Sequence, residues 1–103
     1  MDIRVSGKHI EIGQALPEHV RKELPAAIEK HFGQSSEANV VFAKEGNSFR
    51  ADCTIHLSSG TTFQAHGAAE DAYRAFGEAL EHLEKRVRRY MRRLKNHHDR
   101  DQA

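Results

Sequence analysis

The stretch Lys85-Arg86-Val87-Arg88-Arg89-Tyr90-Met91-Arg92-Arg93-Leu94-Lys95 contains seven cations among eleven residues and no acid. The planar fork of arginine can hold two phosphate oxygens at once, and lysine adds a compact point charge. Such a run suits a polyanion, nucleic acid before others. The rest of the chain sharpens the contrast. Residues 1–84 carry 8 Lys/Arg against 13 Asp/Glu, a balance of −5, whereas residues 85–103 carry 8 against 2, a balance of +6. Clustered charge displaces counterions locally, so the formal net charge of +1 conceals the division.

Simpler reasons for these cations account for only part of them. Positive charge in the last turns of a helix favours the macrodipole, and Glu81–Lys85 and Glu84–Arg88 have the i, i+4 spacing of helical ion pairs. Together these cover two or three charges, not seven. The first helix adds Arg21, Lys22 and Lys30, but interleaved with Glu18, Glu23 and Glu29, which is the pattern of a solvated face. Lys8 lies in a turn beside His9.

Other chemistry finds little support. Among eight histidines, His56 and His66 fall on strands and point away from the apolar face, and His97-His98-Asp99 is a tail segment. No HExxH spacing and no Cys/His ligand set occurs, so neither a metal nor another cofactor is expected. Cys53 alternates with Ala51 and Ile55 on an inward face, which makes it a small core hydrophobe; a nucleophilic thiol would need an accessible, electropositive site. Glu70 and Asp71 open a helix, where capping explains them. There is no Gly-rich phosphate loop and no G-x-S-x-G, so no enzymatic activity and no small-molecule substrate is expected. The longest apolar run, Val40 to Ala43, is four residues, against the roughly 20 a membrane helix requires. With no secretory signal and one cysteine, the expectation is a cytoplasmic protein.

The elements that must carry the basic run follow from periodicity. A strand is predicted from Asp2 to Ser6, with Ile3 and Val5 alternating; Gly7-Lys8-His9 then breaks the pattern before Ile10 and Ile12. From about Gln14 the period becomes helical, with Leu16, Val20, Leu24, Ile28 and Phe32 at steps of four. Pro25 should kink this helix or tighten its middle turn, and Gly33 is its predicted stop. Strands follow near Glu37 to Lys44, from Phe49 to Leu57, and from Thr61 to His66. In the middle one Phe49, Ala51, Cys53, Ile55 and Leu57 alternate with Arg50, Asp52, Thr54 and His56. One-sided alternation means one packed and one wet face.

A long helix is predicted from about Ala68 to Lys95, with Ala72, Phe76, Leu80, Leu83, Val87, Met91 and Leu94 forming its apolar stripe. That stripe is committed to the core, which disfavours a helix lying on a membrane surface. The expected fold is therefore α+β: two layers, β-α-β-β-β-α, a four-stranded sheet with both helices packed on one face. Residues 1–95 form the domain, and residues 96–103 a polar tail or the start of a linker.

Three segments in this order resemble the bacterial ribosome hibernation-promoting factors, also called ribosome-associated inhibitor or light-repressed proteins. They are Ile3-Arg4-Val5-Ser6-Gly7 with Ile10-Glu11-Ile12 and Ala15-Leu16, then Ala51-Asp52-Cys53-Thr54-Ile55-His56 before a hairpin, then Glu70-Asp71-Ala72-Tyr73-Arg74-Ala75 leading to Leu83-Glu84-Lys85-Arg86. Where that family usually has Tyr-x-Ala-Ile-Asp, this chain has Tyr73-Arg74-Ala75-Phe76-Gly77. The resemblance implies a factor that binds the 30S subunit, alone or within the 70S ribosome, through 16S rRNA. It would lie in the decoding channel, covering the positions of messenger RNA and of the A- and P-site transfer RNAs. By position the implied RNA-binding residues are Lys85, Arg86, Arg88, Arg89, Arg92, Arg93 and Lys95, with Lys22 and Lys30 on the first helix. Short family members end near this length, and longer ones add a second domain that pairs ribosomes. Two other readings of the residues stay open: a general module for double-stranded RNA, and a protein-interaction module gripping an acidic partner.

Overall fold

Strict alternation in the middle of the chain produces the sheet, and the helical stripes supply what covers it. The computed structural model describes the backbone of residues 1–32 and 36–102 and the side chains of residues 1–31 and 36–95. Its elements are β1 (Asp2–Lys8), α1 (Ala15–Phe32), β2 (Ser36–Glu45), β3 (Ser48–Leu57), β4 (Thr62–Ala69) and α2 (Ala72–Gln102). The strands form one sheet in the order β1-β2-β3-β4. β1 is parallel to β2, with Val5 opposite Val40, so the chain needs a crossover between them, and α1 provides it. The other neighbours are antiparallel, with Val40 opposite Cys53 and Cys53 opposite Ala65. Both hairpins turn at glycines in the left-handed region, Gly46 at φ 61° and Gly60 at φ 97°, where a side chain would be strained.

The buried residues fall on one side of the sheet. Ala38, Val40, Phe42, Ala51, Cys53, Ile55, Phe63 and Ala65 meet Leu16, Val20, Leu24 and Ile28 of α1, and Ala75, Phe76, Ala79, Leu83 and Val87 of α2. Truncating Leu24 or Leu83, both wholly buried, would cost about 2–5 kcal/mol through lost transfer energy and a residual cavity. The opposite side of the sheet stays wet. There Arg50 donates to both carboxylate oxygens of Asp52, at 2.9 and 3.1 Å.

The α+β arrangement agrees with the sequence expectation, and the boundaries differ in instructive places. β4 runs on to Ala69 and α2 begins at Ala72, not Ala68. Ala68 and Ala69 remain in the sheet because they pair with Arg50 and Phe49 of β3. The helix then starts at a cap: the Arg74 N–H donates to Asp71 Oδ1 at 2.8 Å, satisfying one of the amides a helix start leaves open. At its far end α2 continues past Lys95 to Gln102, so the expected polar tail is helical backbone. Leu94, assigned to the buried stripe, is 47% exposed; the stripe outlasts the sheet that covers it. β1 extends to Lys8, and the break falls at His9, with φ 61°. α1 passes through Pro25 as one helix. Gly33, its predicted stop, lies outside the described residues, as do the side chains of Phe32 and of His97-His98-Asp99.

Candidate nucleic-acid interface

The orientation of α2 is set by Leu83 and Val87, both wholly buried. Its position beside β4 is set by Gly67 and Tyr90. A Cβ built on Gly67 would lie 2.5 Å from both the Ala75 carbonyl oxygen and the Ala79 nitrogen, so only glycine lets the helix backbone approach the strand this closely. Three turns further on, the Tyr90 ring meets Phe63 edge-on, with centroids 5.2 Å apart, and its hydroxyl lies 3.3 Å from Thr61 Oγ1. Pinned at both points, α2 presents one flank of its basic run along β4, which is an edge strand.

Three shallow concavities open on this surface. The first, of about 600 Å³, is lined by His66, His82, Lys85, Arg86 and Arg89. The second, of about 300 Å³, lies between the segment Thr61, Thr62, Phe63, Gln64 and the side chains of Arg86, Arg89, Tyr90 and Arg93. The third, of about 280 Å³, is formed by Lys85, Arg88, Arg89 and Arg92. Among the described residues no acidic side chain lines any of them, and Arg89 lines all three.

The charges here are largely uncompensated. Among the described residues, Arg86, Arg88, Arg89, Arg92, Arg93 and Lys95 have no carboxylate partner within ion-pair distance; Lys85 alone of the run is paired, with Glu81 at 3.9 Å. The expected Glu84–Arg88 pair is not formed. Glu84 turns instead toward α1, where its Oε2 lies 4.0 Å from Lys30 Nζ. An exposed pair at that distance is worth well under 1 kcal/mol, but it draws Lys30 to the seam between the helices. Neither Lys30 nor Lys22, exposed on α1, lines the concavities of α2, and Lys95 is exposed beyond them. A set of cations held close without counter-charges is a surface that a phosphate backbone relieves.

Sequence reasoning did not assign His82 or the β4 rim of Thr61, Thr62, Gln64 and His66 to this surface. His82 was within reach: it lies three and four residues before Lys85 and Arg86, on the same helical flank. The strand residues carried no such signal, because their meeting with α2 depends on the packing at Gly67.

Cys53 and His56 are occupied otherwise. Cys53 is wholly buried, and burial pushes its thiol up to about 12, with the Asp52 charge as a smaller cause. Such a thiol is chemically inert. His56 Nδ1 lies 2.9 Å from Thr62 Oγ1. Among the described residues no three His, Cys, Asp or Glu side chains are gathered as a metal site, and no helix is long and apolar enough to cross a membrane.

Fold and surface thus define a class: a two-layer α+β domain that displays a basic helix, largely uncompensated among the described residues, beside an open sheet edge. The chain belongs to the family described as sigma 54 modulation protein / S30EA ribosomal protein, which it matches over residues 3–95. It is 42% identical over 99 residues to a ribosome hibernation promotion factor of Rhizobium meliloti, covering 96% of this chain and 52% of that one. A factor of the same name from Bradyrhizobium diazoefficiens is 38% identical, covering 93% of this chain and 47% of its own length. The chain therefore spans about half the length of these curated relatives. It also matches the ribosome hibernation promoting factor of Escherichia coli K12 at 28% identity, over 94% of this chain and the whole of that protein. Among solved structures, the N-terminal domain of Thermus thermophilus Protein Y superposes with a TM-score of 0.77 at 27% identity, covering 87% of this chain and 99% of the other. The resemblance drawn from the three sequence segments is the family the chain belongs to.

Proposed function

We propose that this chain is a ribosome hibernation domain, residues 1–95, that binds the small ribosomal subunit through 16S rRNA in the decoding channel. There it blocks translation by covering the positions of messenger RNA and of the A- and P-site transfer RNAs. The action is steric occupation in the cytoplasm and involves no catalysis. The observation that carries the reading is the set of six cations on α2, from Arg86 to Lys95, without a carboxylate partner among the described residues, in a chain whose relatives are named for ribosome hibernation. Lys85, Arg86, Arg88, Arg89, Arg92 and Arg93 would grip rRNA phosphates, with Lys95 at the exposed end and Lys22 and Lys30 as secondary contacts.

The test is co-sedimentation of the purified chain with 30S subunits and 70S ribosomes through a sucrose cushion across a salt series. Saturation near one copy per 30S subunit, reduced by initiator transfer RNA, is the expected result. Absence of saturable co-pelleting at physiological salt would overturn it. An arbitrary RNA duplex should compete only weakly; strong competition would favour a general double-stranded RNA module instead.

A further inference from the structure

The concavity between β4 and α2 contains a feature that a simple basic patch lacks. His82 Nδ1 lies 2.9 Å from the backbone carbonyl oxygen of His66. A carbonyl can only accept, so Nδ1 carries the proton and donates. This fixes the tautomer of the neutral ring and leaves Nε2 as a bare acceptor, without a partner among the described residues, in a side chain that lines the 600 Å³ concavity with His66, Lys85, Arg86 and Arg89. A neutral His82 therefore offers a phosphodiester nothing, since two acceptors face each other. A protonated His82 offers a second donor and a further positive charge beside three permanent cations.

From this we infer that the His66–His82–Lys85–Arg86–Arg89 concavity is a phosphate-binding subsite in which His82 is the titrating donor, so that phosphate binds with uptake of a proton. The inference deepens the ribosome-binding reading and rests on it for the source of the phosphate, an rRNA phosphodiester; a free phosphate presents the same acceptor oxygens to the cations and to a protonated His82. The groups facing His82 are few. From α2 they are Glu78 one turn before it, beside Gly67, with Arg86 and Lys85 one turn after, the latter 3.9 Å from Glu81, and Arg89 beyond. From β4 there is His66, whose cross-strand neighbour on β3 is Asp52, already held by Arg50. An arriving phosphate brings negative charge beside the ring and accepts from its second N–H, so it favours the charged form. Proton and phosphate therefore bind cooperatively, and lowering the pH through the ordinary histidine range strengthens phosphate binding.

His82→Asn is the discriminating variant: the asparagine amide can keep a donor near the His66 carbonyl but cannot titrate. Affinity for 30S subunits is measured for wild type and variant at pH 6 and pH 8 at fixed ionic strength, so that titration of the ribosome itself cancels in the ratio. The wild type should gain about fivefold over His82→Asn on going from pH 8 to pH 6, the size expected when bound phosphate raises the ring's proton affinity about tenfold. In parallel, the His82 imidazole is titrated by NMR in the full chain, with and without inorganic phosphate and with chloride matching the ionic strength. Phosphate should move the His82 midpoint upward and shift the Lys85, Arg86 and Arg89 signals.

Equal pH dependence in wild type and variant would overturn the subsite while leaving ribosome binding standing. No ribosome binding, together with a phosphate-dependent His82 titration, would overturn the ribosome reading and leave a site for free phosphate. A His82 midpoint indifferent to phosphate would refute the inference for both sources.

Discussion

Replacing Arg86, Arg89 and Arg93 together with alanine tests the assignment of the binding face most directly. All three line the concavity along β4, all are exposed, and none has a carboxylate partner among the described residues. Alanine is the best helix former, and the anchors Leu83, Val87 and Tyr90 are untouched, so stability should change by no more than about 0.5 kcal/mol. Binding should change a great deal. Each neutralised phosphate contributes about 0.7–0.9 to the slope of log K against log salt. If all seven cations of the run make contact, the wild-type slope should be about −5 to −6, and that of the triple variant about −3 to −4. The assay is 30S co-sedimentation or a fluorescence titration at four or more salt concentrations, with a circular-dichroism melt to confirm the fold. A paired variant, Lys22→Ala with Lys30→Ala, should flatten the slope by less than one, because Lys30 is already drawn to Glu84. If the triple variant keeps the wild-type slope while the α1 variant loses it, the contact face has been assigned to the wrong helix.

Gly67→Ala should lower stability by about 1–3 kcal/mol, since the new methyl meets the backbone of α2, which has to move away. A thermal melt should fall by roughly 4–8 °C per kcal/mol, and ribosome affinity should drop as the groove opens. Asp71→Ala removes the cap on Arg74 N–H and should cost about 1 kcal/mol, read by denaturant unfolding. Cys53 should resist alkylation at pH 8 until the chain is unfolded. Its thiol is raised from 9.0 to about 12 in the fold, so no stability is lost below pH 9. Above that the unfolded chain ionises first, and stability should fall by about 1.4 kcal/mol per pH unit until the folded thiol titrates as well. Cys53→Ala should remove that alkaline dependence; an unchanged pH profile in the variant would place its cause elsewhere.

The elements and most of the core were legible in the order of the residues alone. Wherever one face of an element is buried, the period of its apolar residues is dictated by backbone geometry alone, about two for a strand and 3.6 for a helix. That is why Val40, Phe42, Ala51, Cys53 and Ile55, and the α1 series from Leu16 to Ile28, could be placed inside from their spacing. The basic run was equally plain, because charge is a property of composition and needs no fold to reveal it. How those charges are arranged depends on which elements pack together. Ala68 and Ala69 have no strand pattern of their own and stay in β4 only because β3 pairs with them. Lys30, set among Glu18, Glu23 and Glu29 in the pattern of a solvated face, meets Glu84 only because α1 and α2 lie side by side. Leu94 carries the right period for burial, but the sheet ends before it. The contact of His82 with the His66 carbonyl, like the rim of β4 residues beside Arg86, Arg89 and Arg93, depends on a close approach at Gly67 between segments that meet only in the folded chain. Local periodicity records which face of an element is apolar; it holds no information about which other element lies against that face, and the binding groove is built from such pairings.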